Sequence, residues 1–120
     1  MLQVLGSIDI FRNSIIMANV DRNLVQELQA LFSFLFFSER IDYAPKNLLT
    51  SFVPPINPSI QQDTTEFLNL LFDQVEDCLR ATPYKKILPE LFQGNTVAQM
   101  ICHNCGAKRE RNEEFFTYSV

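Results

Sequence analysis

Tryptophan is missing from this 120-residue chain, histidine occurs once, and cysteine occurs three times. Without tryptophan and with eleven phenylalanines, the aromatic part of the core has to be built from Phe. The odd cysteine count does not fit a fully paired disulfide framework. Met1 is followed by no basic n-region and no small-residue cleavage site, so a reducing, intracellular setting (cytoplasmic, nuclear or both) is expected. Long apolar runs are also missing. The longest, ALFSFLFF at residues 30–37, falls far short of the ~20 residues that span a bilayer. It is flanked by Glu27, Glu39 and Arg40 and reads as a buried helix. Positive charge is in deficit: ten Lys and Arg against fourteen Asp and Glu leave a net charge of −4. That argues against recognition of a phosphate backbone. Neither a nucleic acid nor a membrane is expected as a partner. Internal repeats and low-complexity segments are absent.

What is present is ordinary globular composition, 47% apolar and 20% charged, in a chain long enough for one domain with a real core. Residues 1–19 carry helical apolar spacing broken near Gly6-Ser7, which predicts two short helices. Asp21 is a plausible N-cap for a third. In that helix Leu24, Val25, Leu28, Leu31, Phe32, Leu35 and Phe36 recur at helical intervals, and Phe34 and Phe37 widen the arc, so its second half should be enclosed. KNLLTSF predicts one or two further turns. Prolines 54, 55 and 58 then prohibit regular structure.

A long amphipathic helix should open in QQDTTEF, residues 61–67, and run to about Ala81. Phe67, Leu68, Leu71, Phe72, Val75, Cys78 and Leu79 share one arc; Glu66, Asp73, Glu76 and Asp77 occupy the other, with no base until Arg80. Beyond ILPELF the pattern changes. Gln93-Gly94-Asn95 is turn-like, TVAQMIC has strand character, CHNCG forms a tight knuckle, and EEFFTYSV returns as a second strand. The expected fold class is α+β: a helical body over residues 1–91, then an antiparallel hairpin over 92–120.

The polar cluster at 61–67 admits a structural explanation. Asp63-Thr-Thr-Glu66 fits a capping box, with both carboxylates also complementing the positive end of the helix. That leaves Gln61 and Gln62 unexplained, and an acidic face continuing to Asp77, where negative charge opposes the helix dipole. A basic partner segment would make such a face favourable.

QQDTTEFLNLLFDQVE resembles the QQD-x-x-EF box of the ubiquitin-specific proteases, papain-like cysteine peptidases that cleave ubiquitin from proteins. Other stretches agree in order and spacing. Leu2-Gln3 with Phe11-Arg12 resembles the helix that carries the family nucleophile, and LQALFSFLFFSERIDYAPKNL resembles its L-x-x-LF…S-x-R-x-x-x-P-x-x-L stretch. Ile87-Leu88 through Leu91-Phe92 and Gly94, then Cys102-His-Asn-Cys105 and EEFFTYSV, resemble the entry to its fingers. The resemblance implies a helical thumb and the first hairpin of a zinc-ribbon-like fingers region. It implies a box beside the channel for the arginine-bearing tail of ubiquitin, where Asp63 and Glu66 would hold arginines and Gln61 would help through its amide. Thr64 departs from the Ala usual in that family. Ubiquitin or a ubiquitinated protein is then the expected partner.

Cys78 lies on the apolar arc and reads as a small buried hydrophobe. Cys102-x-x-Cys105-Gly106 is a knuckle able to aim two thiolates at one tetrahedral ion. Three readings stay open for that pair: half of a zinc ribbon, a redox couple, or two incidental thiols. His103, inside the knuckle, is expected to be exposed. By the resemblance, the nucleophilic cysteine box would end at Leu2-Gln3 and lie before Met1. The catalytic His, its orienting partner and the second zinc half would lie beyond Val120. Thiol catalysis needs thiolate, base and orienter within hydrogen-bond reach, so this chain is expected to be inactive as a hydrolase. Two alternatives remain: a short protein that binds ubiquitin or regulates a relative without cleaving, and an unrelated helical interaction domain.

Overall fold

The computed structural model describes residues 1–40 and 42–117. The N-terminal apolar spacing breaks where expected, and the chain folds there as α1 (Leu2–Ser7) and α2 (Asp9–Met17), joined through the extended Ile8. α3 (Asn23–Phe37) buries Leu24, Val25, Leu28, Leu31 and Phe32. α4 (Lys46–Thr50) follows, then the proline segment, with a cis peptide bond between Val53 and Pro54. α5 (Thr64–Leu79) is the second long helix, and α6 (Ile87–Phe92) accommodates Pro89 within its first turn, where a missing N–H costs little. β1 (Gly94–Ile101) and β2 (Lys108–Phe115) pair antiparallel from Gly94↔Phe115 to Ile101↔Lys108. The molecule is α+β, as the sequence pattern predicts.

The core sits where α2, α3, α5 and α6 meet. Phe11, Ile15, Val25, Leu28, Phe32, Leu71, Phe72, Val75, Leu79 and Leu88 are all at most 1% exposed. Each such burial contributes about 1.5–3 kcal/mol. A run of ring contacts ties the elements together. Phe32 meets Phe11 edge-on at 6.1 Å, and Phe11 meets Phe92 at 5.6 Å. Phe92 stacks on Phe72 at 4.8 Å, and Phe72 meets Phe116, just past β2, at 5.7 Å. Gln29 of α3 closes the end of α2 by donating to the carbonyls of Ile15 (2.9 Å) and Ala18 (2.8 Å).

Four expectations need correction. Asp21 does not cap α3. The N-cap position is Arg22, in extended conformation, and it makes no side-chain cap bond. Asp21 instead accepts from the Gln26 amide, at 3.5 Å. The second half of α3 is not enclosed: Phe36 is 37% and Phe37 66% exposed. The Arg12 guanidinium lies over both rings, at 5.2 and 5.7 Å from their centres, so a cation takes the place of a packed apolar neighbour. The 93–95 turn reduces to Gln93 alone, the C-cap of α6, because Gly94 already begins β1. The second strand occupies residues 108–115, not 113–120. Pairing resumes at Lys108 directly after the knuckle, and neither sheet face needs apolar residues, because no layer among the described residues covers it. Residues 118–120 lie outside the described residues.

Candidate functional site

The polar turn at the start of α5 is built on an apolar anchor. Phe67, the first buried residue of the helix, packs on Phe52 with ring centres 5.5 Å apart. Ahead of it Asp63 adopts extended geometry (φ −65°, ψ 130°), and its Oδ1 accepts from the Glu66 N–H at 2.9 Å. Half of the capping box therefore forms. The Glu66 side chain makes no return bond among the described residues. Gln61, Asp63 and Glu66 all lie exposed, and neither carboxylate forms an ion pair among the described residues. The remaining acceptor sites of both carboxylates thus face solvent at the positive end of a helix. A groove of about 330 Å³ lined by Leu2, Gln3, Leu31, Leu35, Tyr43 and Phe67 runs beside this turn.

The acidic face further along α5 is not uncompensated. Asp77 pairs with Arg80 at 3.4 Å and, across the fold, with Arg22 at 3.7 Å. Sequence reasoning missed the second cation because it arrives from the start of α3. It also missed Gln74, whose amide grips the Val53 backbone twice, accepting from its N–H at 3.1 Å and donating to its carbonyl at 3.0 Å. This clamp holds the proline segment against α5. No local signal in the sequence marks it, because its partner lies 21 residues away. A cleft of about 650 Å³ lies here, lined by Asp21, Arg22, Asp73, Gln74, Asp77 and Cys78, apart from the 61–67 turn.

Cys78 is 8% exposed. Burial pushes its thiol pKa up; nearby Arg22 opposes this and Asp77 adds to it. The thiolate, the nucleophilic form, is therefore disfavoured. His103 sits at the hairpin tip, exposed.

The tip is a closed knuckle. Cys102 N–H donates to the Ala107 carbonyl and Gly106 N–H to the Cys102 carbonyl, both at 2.9 Å. Gly106 takes φ 69°, the left-handed conformation in which a side chain would be strained. The Cys105 N–H and thiol and the Asn104 N–H all donate to the Cys102 sulfur, which lowers its pKa. Both cysteines are free and exposed. Two thiols turned outward from one tight turn fit half of a tetrahedral metal site. Among the described residues no group of three or more His, Cys, Asp or Glu is placed to hold a metal ion, so His103 does not complete it.

Comparison with known proteins places this architecture. Residues 1–115 match the family model described as ubiquitin carboxyl-terminal hydrolase. The chain belongs to the ubiquitin carboxyl-terminal hydrolase family. The match takes in both the 61–67 turn and the knuckle. Ubiquitin carboxyl-terminal hydrolase 9Y of Homo sapiens is 31% identical over 100 residues, covering 81% of this chain and 4% of the relative. Ubiquitin carboxyl-terminal hydrolase 24 of Mus musculus is 30% identical over 105 residues, covering 85% and 4%. Ubiquitin carboxyl-terminal hydrolase 35 of Homo sapiens is 27% identical over 143 residues, covering 99% and 14%. That last alignment is longer than this chain, so the relative carries insertions between matched segments. The chain spans about 4% of the length of the first of these relatives and carries part of a ubiquitin-specific protease catalytic domain. No helix among the described residues is long and apolar enough to cross a membrane.

Proposed function

We propose that this chain is the ubiquitin-facing thumb and first fingers hairpin of a cysteine-type deubiquitinase, and that it does not itself hydrolyse the isopeptide bond. Residues 1–91 form the thumb and 92–120 the start of the fingers. The observation that carries this reading is the family match over residues 1–115, joined to a chain in which the thiolate of buried Cys78 is disfavoured and the single His is exposed at a distant tip. Such a surface contributes binding and orientation. The attack of a thiolate on the carbonyl, and its general base, belong to residues this sequence does not contain.

Gln61, Asp63 and Glu66 are the ubiquitin-binding residues. Two exposed carboxylates without cationic partners among the described residues suit an arginine-bearing extended tail, because charge-assisted bonds to guanidinium are the strong ones. Cys102 and Cys105 would be thiolate ligands of a structural zinc, half of the usual four. Three free cysteines, two of them exposed, suit a reducing intracellular compartment.

The test is a titration of isotope-labelled ubiquitin with this chain, together with a ubiquitin–fluorophore hydrolysis assay. The expected result is a shift of resonances in the ubiquitin tail with no fluorophore released. Release of fluorophore, abolished by Cys78→Ala, would overturn the non-catalytic reading. An unperturbed ubiquitin spectrum would overturn the binding reading.

A further inference from the structure

The chain leading into the α5 turn has little apolar burial to hold it. Phe52 and Phe67 are core residues, but of residues 53–66 between them all except the half-buried Ile56 are exposed. Hydrogen bonds hold this stretch instead. The Gln74 amide accepts from the Val53 N–H at 3.1 Å and donates to the Val53 carbonyl at 3.0 Å. The Ile56 N–H donates to the Leu49 carbonyl at 2.9 Å. At the other end Asp63 accepts from the Glu66 N–H, also at 2.9 Å. The clamp and the cap therefore belong to one helix, roughly 16 Å apart along its axis at the usual rise.

Between those two points the chain is stiff. Prolines 54, 55 and 58 fix φ and restrict the residue before each of them. Asn57 then turns the chain: its Oδ1 accepts from the Ser59 N–H at 2.9 Å and its carbonyl from the Ile60 N–H at 3.2 Å. The Gln62 amide donates to the Ile60 carbonyl at 3.3 Å. A stiff strut fastened to one helix at both ends carries the orientation set at Val53 on to Gln61. Two neighbours in the candidate site are thus fixed differently. Asp63 is placed by α5 itself, Gln61 by the strut.

We propose that Gln74 is a positioning residue for the ubiquitin-facing turn: its two hydrogen bonds to the Val53 backbone set where Gln61 presents its amide, from about three helical turns away. The inference rests on the assignment of Gln61, Asp63 and Glu66 as ubiquitin-binding residues made above. Its signature is selective. Without the clamp, binding has to order the strut, so the contribution of Gln61 falls. The carboxylates of the α5 turn keep theirs, because the helix and not the strut holds them. A purely structural role for Gln74 would not distinguish Gln61 from Asp63.

The test uses the full chain and two variants, Gln74→Ala and Gln74→Glu, with two readouts. In the free chain, amide hydrogen exchange at Ser59 and Ile60 should quicken in Gln74→Ala. It should quicken less in Gln74→Glu, which keeps an acceptor for the Val53 N–H. In titrations of isotope-labelled ubiquitin, Gln74→Ala should weaken binding roughly 2- to 12-fold, the scale of ordering one side chain. In that background Gln61→Ala should cost nothing further, whereas Asp63→Asn should cost as much as it does in the parent. Unchanged exchange at Ser59 and Ile60 would overturn the strut whatever ubiquitin does. Unchanged affinity in Gln74→Ala, or an equal cost of Gln61→Ala with and without the clamp, would overturn the positioning role and leave the ubiquitin-facing turn standing. A ubiquitin spectrum unperturbed by the parent chain would overturn that turn as a binding site, and the positioning role with it.

Discussion

Replacing Asp63 by Asn separates the two tasks assigned to the turn that opens α5. Asp63 holds the Glu66 N–H at 2.9 Å, and Asn offers an equivalent amide oxygen at the same place. Since Asn and Asp cap about equally well, Asp63→Asn should change stability by no more than about a few tenths of a kcal/mol. Asp63→Ala removes the bond itself and should cost about 1 kcal/mol, within the usual 0.5–2. If the turn only caps, ubiquitin affinity follows stability, and the Asn variant binds like the parent. If the carboxylate also holds a guanidinium, both variants lose the charge and weaken binding alike. The scale is that of a hydrogen bond to a charged group, about 1.5–3 kcal/mol, or roughly 10- to 150-fold in Kd. Glu66→Gln should leave stability nearly untouched, because the Glu66 side chain makes no bond back to the cap, yet it should weaken binding comparably. Thermal unfolding by circular dichroism and ubiquitin titration by nuclear magnetic resonance, on the same samples and at two salt concentrations, give both axes. Affinity unchanged in Asp63→Asn and in Glu66→Gln would refute recognition and leave the turn a helix cap.

Phe72→Ala should destabilise the fold by about 3–5 kcal/mol, because Phe72 joins the rings of Phe92 and Phe116; denaturant titration checks this, and a loss below about 1 kcal/mol would contradict it. Gln29→Ala leaves the Ile15 and Ala18 carbonyls without their shared donor and should cost about 1–3 kcal/mol, measured the same way. Alkylation followed by peptide mass mapping should modify Cys102 first and Cys78 last. Hydrogen bonds lower the Cys102 pKa, so its thiolate forms at lower pH, whereas burial raises that of Cys78. Equal rates would contradict that order.

The parts of the fold that could be read in the sequence are those set by neighbours along the chain. The α5 helix announces itself because Asp63 and Glu66 stand three residues apart ahead of an apolar arc, and both cap and arc are local. The α1–α2 break and the knuckle are equally local. What could not be read depends on residues far apart. Arg22 serves Asp77 rather than the start of its own helix. Phe37 has the spacing of a core residue, yet Arg12 from α2 is what lies over its ring. β2 hides behind Lys, Arg and Glu because the hairpin has no buried face to demand alternation. Gln74 and Gln29 look like surface amides until the backbone each one grips is brought beside it. The candidate site divides the same way: Asp63 shows its cap in sequence, while its lack of a cationic partner among the described residues is a fact of three dimensions.

The ring of Phe115 over Gly94 fixes one end of an otherwise unsupported ribbon, and a two-stranded ribbon alone is marginal in water. Amide hydrogen exchange should therefore run as a gradient, slow at Asn95 and Thr96 and quickening strand position by strand position towards Ile101 and Lys108. Fraying would begin at the knuckle and stop at the aromatic clasp, so the helical body never registers it. An arm anchored at its root would move most at its tip, by an amount set by the length of the ribbon rather than by any motion of the core.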